Sequence, residues 1–559
     1  MLRNKLYNSY KILSLSIIII ISITLLWRMY YVNRIVEFSH ESGFYNSSFN
    51  LVLKSNLNNY SIYYTVDGSE PNNKSRLYNN SIFIDGTNTN HNSFIPSTPL
   101  EGPDHLDKFI WLEPKKVSKT SIIRFALFKH GFRISPVYSK TYFVENNLID
   151  NYTFPVISLI TDSLNLFDVN TGIYVPGKKH EEDGFNYWAL GNYHNRGINW
   201  ERDAHITYFN NNGKIGFQTN AGIRMRGFSS ASFPQKSFNI YFRSKYGLDS
   251  IEYTLFDTSN NHIYKRLILR NSGEDFFKTH FRDAMLQDLL ASMNLEIQQF
   301  SPSILFINGE YWGMYNVREK YDKYYFKYNY GVSEDSINIL GVCGVEIEEG
   351  SQNDYFEIEN FIKNNSLAIS ENYDLLTTKI DIDNFIDFYI AQIYYAHYDW
   401  PCNNYKMWKT DHLDSKWRFL IYDLDSSFGH DSLKSNYNTL SMQHATSLLK
   451  EWPYCPCSNL LFRSMLENDV FKQDFLIKFK YHLEHTFAVD VVLNKIEKYK
   501  TLFEPEMQRH INRWQHPSSI DLWYTEIDKL KTFAIYRPAV IKANIIDFFE
   551  LENFDFDNQ

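Results

Sequence analysis

Two runs decide how this chain is read: Tyr398-Asp-Trp-Pro-Cys-Asn-Asn-Tyr-Lys-Met-Trp-Lys409 and, after a turn, Lys416-Trp-Arg-Phe-Leu-Ile-Tyr-Asp-Leu-Asp-Ser-Ser-Phe-Gly429. Asp399 is followed five positions on by Asn404, and Asp423 and Asp425 close the second, strongly apolar run. An acid, an amide and two more acids on neighbouring strands and loops suit a base beside a cage for a hard divalent cation, which takes oxygen ligands. Residues two apart on a regular strand share a face, so both Asp423 and Asp425 can approach one metal if the strand runs that far. The chemistry that such a set serves is that of a nucleotide phosphate.

Working outward, the spacing predicts an amphipathic helix over Ile382 to Ala396 that runs directly into Asp399, and another over Phe356 to Ile362. Upstream, Ser303-Ile-Leu-Phe-Ile-Asn-Gly-Glu-Tyr-Trp-Gly-Met-Tyr-Asn-Val-Arg-Glu319 reads as a hairpin turning at Asn308-Gly309. Thr279 to Met293 has helical apolar spacing, with Arg282 and Asp283 on its first turns. Residues 178–200, polar and rich in His and Asn, read as a surface loop. Beyond Leu440 the pattern is helical, with a last stretch from Ile527 to Leu551 expected to break or restart at Pro538.

A second site of interest is Gly222-Ile-Arg-Met-Arg-Gly-Phe-Ser-Ser-Ala-Ser-Phe-Pro-Gln-Lys-Ser-Phe-Asn-Ile-Tyr-Phe242. A strand meets a loop of Gly227, Ser229 and Ser230, and a second strand opens at Lys236. Small residues let backbone N–H groups approach an anion, and Arg224, Arg226 and Lys236 offset its charge. The plainer reading is a Ser-rich hairpin with solvated basic residues. It is not a P-loop, since Gly-x-x-x-x-Gly-Lys-Ser/Thr is absent.

The 559 residues hold two or more domains. A net charge of −9 with both signs interspersed lacks the basic footprint of a nucleic-acid binder. Four cysteines are too few for a disulfide scaffold, and Cys455-Pro-Cys457 lacks the spacing of zinc knuckles, leaving at most one paired set. Residues 1–34 carry Arg3, Lys5 and Lys11 ahead of an apolar run from Ile12 to Trp27, followed by Arg28. With no small-residue cleavage site after it, this run reads as an uncleaved signal anchor in preference to a signal peptide; either places the remainder outside the cytosol. Residues 36–146 alternate as short strands with Asp67-Gly68 and Asp85-Gly86 turns, the pattern of a small β-sandwich. Within them, Tyr63-Tyr-Thr-Val-Asp-Gly-Ser-Glu-Pro71 resembles the C-terminal module of chitobiases and hexosaminidases, which implies a spacer or accessory role and no catalytic residues.

Five segments in order carry a further resemblance: Arg226-Gly-x-Ser229, Pro234-x-Lys236-Ser237, Asn308-Gly-Glu-Tyr-Trp-Gly313 with Glu319, Asp399 to Tyr405, and Trp417 to Gly429. Together they resemble the CotH family, the spore coat protein H type of atypical protein kinase. The resemblance implies an α+β fold in which a bilobal kinase-like domain over 150–559 follows the sandwich and the anchor. Its N-lobe would span about 150–320 and its C-lobe 321–559, with a helical C-terminus. It also implies that ATP with Mg2+ or Mn2+ phosphorylates Ser or Thr of an exported surface or coat protein. Lys236 would pair with the α/β-phosphates beside Arg224, Arg226, Gly227, Ser229 and Ser230. Asp399 would be the base, and Asn404, Asp423 and Asp425 the metal ligands. Either Asp283 or Glu319 would be the acid partner of Lys236.

The Gly-rich loop, His-Arg-Asp and Asp-Phe-Gly signatures of ordinary kinases are missing. A metal-dependent glycosyltransferase also uses Asp-x-Asp, but the βαβ pattern it needs before Asp423 is absent. A glycosidase would need its two acids on opposite sides of the sugar. A non-catalytic surface or coat scaffold on a degenerate kinase fold is the remaining alternative.

Overall fold

The computed structural model describes residues 36–85, 114, 117–144, 152–182, 190–257, 261–430, 438 and 442–552. The expected anchor over 1–34 lies outside them. Among the described residues, no helix is long and apolar enough to cross a membrane.

The chain is α+β. Its first part is a small sandwich whose main sheet orders Gly43–Tyr45, Tyr138–Val144, Ser121–Lys129, Ser61–Thr65 and Arg76–Leu77. Leu51, Phe125, Leu127 and Tyr142 close its core. The sandwich docks through Thr120, whose N–H donates to the Gly309 carbonyl at 2.7 Å, and through Thr141 and Ser158, whose hydroxyls meet at 2.7 Å.

A closed barrel follows, built from β1 (Val156–Ile160), β2 (Arg202–Phe209), β3 (Ile215–Arg226), β4 (Ser237–Tyr241), β5 (Arg266–Arg270), β6 (Phe300–Ile307) and β7 (Glu310–Glu319). The strands pair in the order β1-β2-β3-β4-β5-β7-β6, and β6 returns to lie parallel to β1. Alternate side chains point inward. Ile223 and Met225, Phe238 and Ile240, and Leu267 and Leu269 therefore fill the interior from three neighbouring strands.

The remainder is mainly helical, around a four-stranded sheet ordered β9-β8-β10-β11 from β8 (Ile337–Leu340), β9 (Ile347–Glu349), β10 (Lys406–Thr410) and β11 (Arg418–Leu420). The short helix α1 (Arg282–Leu289) belongs to this core, together with α2 (Ile382–Tyr394) and two long helices, α3 (Val489–Trp514) and α4 (Ile520–Phe549). The expected break at Pro538 does not occur, because α4 passes through it. Phe533, Ala534 and Ile541 bury the helix on either side, and Arg537 donates to the Tyr394 carbonyl at 3.0 Å and the Ile393 carbonyl at 2.6 Å. Packing thus outweighs the one backbone hydrogen bond that proline removes.

The helical part also clasps the barrel. Trp514, the last residue of α3, is buried in the barrel core, and its indole N–H donates to the Trp312 carbonyl at 2.9 Å. Gly313 makes room for it: a Cβ there would lie 2.6 Å from the Trp514 Nε1. Arg513 pairs with Glu310 at 2.9 Å in the same buried contact.

Candidate active site

A cleft of about 580 Å³ lies between the outer face of the barrel and the helical part. Strand alternation sets the barrel wall. Arg224 and Arg226 of β3, Ser237 and Asn239 of β4, and Arg266 and Arg270 of β5 all point outward into the cleft. The β3–β4 register puts Arg226 opposite Ser237 and Arg224 opposite Asn239. Gly227, Ser229 and Ser230 form the rim above this wall. One nitrogen of Arg224 donates to the Tyr241 hydroxyl. The Arg226 guanidinium has no hydrogen-bond or ion-pair partner among the described residues, and burial beside Arg270 lowers its pKa. Lys320, just past β7, also enters the cleft unpaired, and burial brings its pKa down to about 8.

The opposite wall carries Asp399, Asn404, Asp423 and Asp425. Strand β11 ends at Leu420 and Asp423 takes a left-handed conformation, φ 58°. The two acids therefore meet through a turn, and not through the regular strand that the sequence suggested. Helix α1 fixes this turn from behind. Asp283 accepts from the Leu424 N–H at 3.0 Å, and Arg282 donates to the Ser427 and Phe428 carbonyls at 3.0 and 2.6 Å. The Asp399 loop is tied to the same turn, since the Tyr398 N–H donates to the Ser426 carbonyl at 3.1 Å and the Phe428 N–H to the Tyr395 carbonyl at 2.7 Å.

Asn404 is oriented by a relay. The His397 Nδ1 lies 2.6 Å from the Gln392 Oε1, while the Asn404 amide nitrogen sits 3.4 Å from the His397 Nε2 and 3.2 Å from the Asp423 carbonyl. Burial lowers the His397 pKa to about 4, so the ring is neutral and its Nε2 accepts from the Asn404 amide. With the nitrogen committed, the amide oxygen is the atom left for a ligand.

Arg270 joins the walls. Its Nη2 contacts the Asp423 Oδ1 at 2.5 Å and the Asp425 Oδ2, and its Nε lies 4.0 Å from the Asp283 Oδ2. Arg318 pairs with the same Asp283 oxygen at 2.5 Å. Gly273, φ 56°, lets this group close up, because a Cβ there would run into the Asp425 carboxylate. Three carboxylates thus face two guanidiniums, which leaves one negative charge in excess. Burial, with Asp423 and Asp283 beside it, holds the Asp425 pKa well above the usual carboxylate range despite Arg270. Burial also works against the Asp423 carboxylate, but Arg270's charge and hydrogen bond outweigh it and its pKa is lowered.

Compared with known protein families, residues 223–541, more than half of the chain, match the family described as CotH kinase protein. The chain belongs to the CotH kinase family. Residues 40–95 match the chitobiase/β-hexosaminidase C-terminal domain. No curated protein matches. Among solved structures, the Helicobacter pylori proinflammatory kinase CtkA aligns at 11% identity over 54% of this chain and 94% of that one, with a TM-score of 0.23, too low to carry an argument. The strands β1 and β2, which complete the barrel, precede the CotH match.

Two expected residues of this CotH-family site lie elsewhere. Lys236 is fully buried under the Ser229–Ser232 turn, where its ammonium donates to the Ala231 and Phe233 carbonyls at 2.7 and 2.6 Å and lies 4.4 Å from the Tyr193 ring centre. It shares strand parity with Phe238 and Ile240, so it points into the barrel and supports the loop from below. Tyr193 itself is fully buried, although its segment reads as a surface loop. Glu319 shares parity with Tyr315 and Val317 and also turns away from the cleft; the Gln299 N–H donates to it at 3.4 Å, and burial raises its pKa to about 7. Neither Glu319 nor Asp283 pairs with Lys236, since Asp283 serves Arg270 and Arg318. Arg266, Arg270 and Lys320 are cleft residues that the motifs did not flag. Their signal was strand parity: each alternates with inward-facing apolar residues.

Proposed function

We propose that this CotH-family protein transfers the γ-phosphoryl group of ATP to a Ser or Thr hydroxyl of an exported surface or coat protein, with a divalent metal as cofactor. One observation carries the reading: an arginine- and lysine-lined wall with unpaired Arg226 and Lys320 faces Asp399, Asn404, Asp423 and Asp425 across one cleft. Phosphoryl transfer asks a protein to position phosphates, offset their charge and orient a hydroxyl next to a carboxylate. Arg224, Arg226, Lys320 and the Gly227, Ser229, Ser230 rim serve the phosphates, and Lys236 holds that rim in shape. Lys320, with a pKa near 8, is still mainly cationic at neutral pH. Asp399 receives the acceptor hydroxyl.

Asp423, Asp425 and the Asn404 amide oxygen suit magnesium or manganese, being all-oxygen donors in a group with one unbalanced negative charge. When bound, such a metal neutralises phosphate oxygens and the developing charge on the transferred group. The apolar segment at 12–27 would anchor the protein with this domain outside the cytosol.

The test is incubation of the full chain with γ-labelled ATP, Mg2+ or Mn2+ and Ser-rich peptides, next to Asp399→Asn and Arg226→Ala. A general base contributes about 10²–10⁴-fold, so Asp399→Asn should lose label by that factor while melting as wild type does. Undiminished labelling by Asp399→Asn overturns the assignment. A second reading, a scaffold that binds nucleotide without transferring it, is favoured by Arg270 occupying both acids; ATP-induced thermal stabilisation with no labelling of any acceptor would select it.

A further inference from the structure

The chain's four cysteines come from three separate segments: the turn at Val342–Gly344, the Asp399–Asn404 loop, and Cys455-Pro-Cys457 ahead of the helix at Leu460–Met465. The fold gathers all of them. Cys343 and Cys457 form a disulfide. The Cys455 Sγ lies 3.6 Å from the Cys343 Sγ and 3.6 Å from the Cys457 Sγ. Cys402 lies close enough to Cys455 for their thiols to interact, and burial and this neighbour push its pKa up. Both remaining thiols are only partly buried, so solvent-borne reagents reach them.

We propose that Cys402 and Cys455 are a redox modification site, forming a second disulfide that latches the Asp399–Asn404 loop to the Cys343–Cys457 staple. The reaction is thiol–disulfide exchange with a small-molecule or oxidoreductase disulfide, RS–SR. The Cys455 thiolate attacks RS–SR, forms Cys455–S–SR and expels RS⁻. Cys402, after losing its proton, attacks the Cys455 sulfur and expels the second RS⁻. Two S–H bonds are lost and one S–S bond forms, while RS–SR takes up two electrons and two protons to leave as two RSH. A compartment outside the cytosol supplies such oxidants.

The consequence follows from position. Cys402 is three residues after Asp399 and two before Asn404, both of which line the cleft. The latch would fasten that loop to the helical part and, through Cys457, to the turn after β8. The oxidised and reduced proteins would then present their cleft carboxylate and amide with different freedom. The linkage itself can be read without any catalytic assay, so its failure and the failure of the kinase reading are distinguishable.

The experiment uses the full chain equilibrated with oxidised glutathione or with dithiothreitol, then alkylated under denaturing conditions and weighed intact. Four thiols should react after reduction and none after oxidation, and dithiothreitol should restore all four. If Cys343–Cys457 is the sole disulfide, two thiols remain alkylatable after oxidation, and the proposal falls. Non-reducing peptide mapping of a Cys343→Ser/Cys457→Ser variant should join the Cys402 peptide to the Cys455 peptide. Should that variant not fold, mapping of the wild type decides: a free or glutathionylated Cys402 in the oxidised sample overturns the latch. Hydrogen exchange at residues 399–404 should slow on oxidation in the wild type and not in Cys402→Ser. One tightly held zinc per chain on these thiols would replace the latch with a metal site and also overturn the proposal.

Discussion

Arg270→Met puts the electrostatics of the cleft to the test. The guanidinium contacts Asp423 and Asp425 and approaches Asp283, and Arg318 serves only the last of these. Removing it leaves two carboxylates without a cation, and breaking a buried pair from one side typically costs about 3–5 kcal/mol. The loss should depend on pH with a definite sign. Without Arg270 the folded-state pKa values of Asp423 and Asp425 rise, so the folded protein holds protons that the unfolded chain has released. A carboxyl with a raised folded pKa costs nothing below its unfolded value of about 3.9, and the cost grows as pH rises to the folded value. Denaturant unfolding followed by tryptophan fluorescence should therefore show the full penalty at pH 7 and a smaller one at pH 5. Adding Asp425→Asn to the variant should recover a large part of it, as should millimolar Mn2+. A penalty under about 1 kcal/mol at pH 7, or one equal at both pH values, would refute the charge count on which the site is built.

Lys320→Met should raise stability while weakening ATP binding. Its folded pKa near 8 lies below the unfolded value of about 10.4, so wild-type stability rises with pH between them and the charge is a burden at neutral pH. The variant should be about 1–3 kcal/mol more stable at pH 7, and the gap should close by pH 10.5; a gap that stays open would exclude Lys320 as its source. Because burial and the neighbouring carboxylates hold the Asp425 pKa above the usual carboxylate range, a metal there competes with a proton and Mn2+ affinity should rise with pH; calorimetric titration at pH 5.5, 6.5 and 7.5 checks this, and a flat profile contradicts it. Trp514→Ala should cost about 3–5 kcal/mol and weaken the barrel although it lies on a helix, which hydrogen exchange in β6 and β7 would report.

Much of this architecture was legible from alternation and turn chemistry. Tyr63 to Pro71, the Asn308-Gly309 hairpin and the helix leading into Asp399 all read directly. The two misplaced site residues, Lys236 and Glu319, have a common origin in strand parity. Lys236 opens a strand after a Ser-rich loop, which suits a phosphate, yet Phe238 and Ile240, two and four residues on, mark its side as inward. Glu319 ends its hairpin on the same side as Tyr315 and Val317, whereas its neighbours Arg318 and Lys320 are on the cleft side. Arg266-Leu-Ile-Leu-Arg270 states its outward face just as plainly. What no local pattern shows is the left-handed turn at Asp423 or the helix-borne Trp514 completing a barrel core. Both depend on contacts with residues more than a hundred positions away.

That last contact has a consequence for the order of events at the ribosome. The barrel spans residues 156–319, but a piece of its interior is supplied by residue 514, some two hundred positions later. At synthesis rates of about 5–20 residues per second, the completed barrel core has to wait on the order of ten seconds or more for its closing side chain. Contacts this distant in sequence also slow folding by their loop-closure entropy. Any fragment that ends before α3 would hold every barrel strand and still leave a hole where Trp514 belongs, so the barrel and the helical part mature as one unit and not in succession.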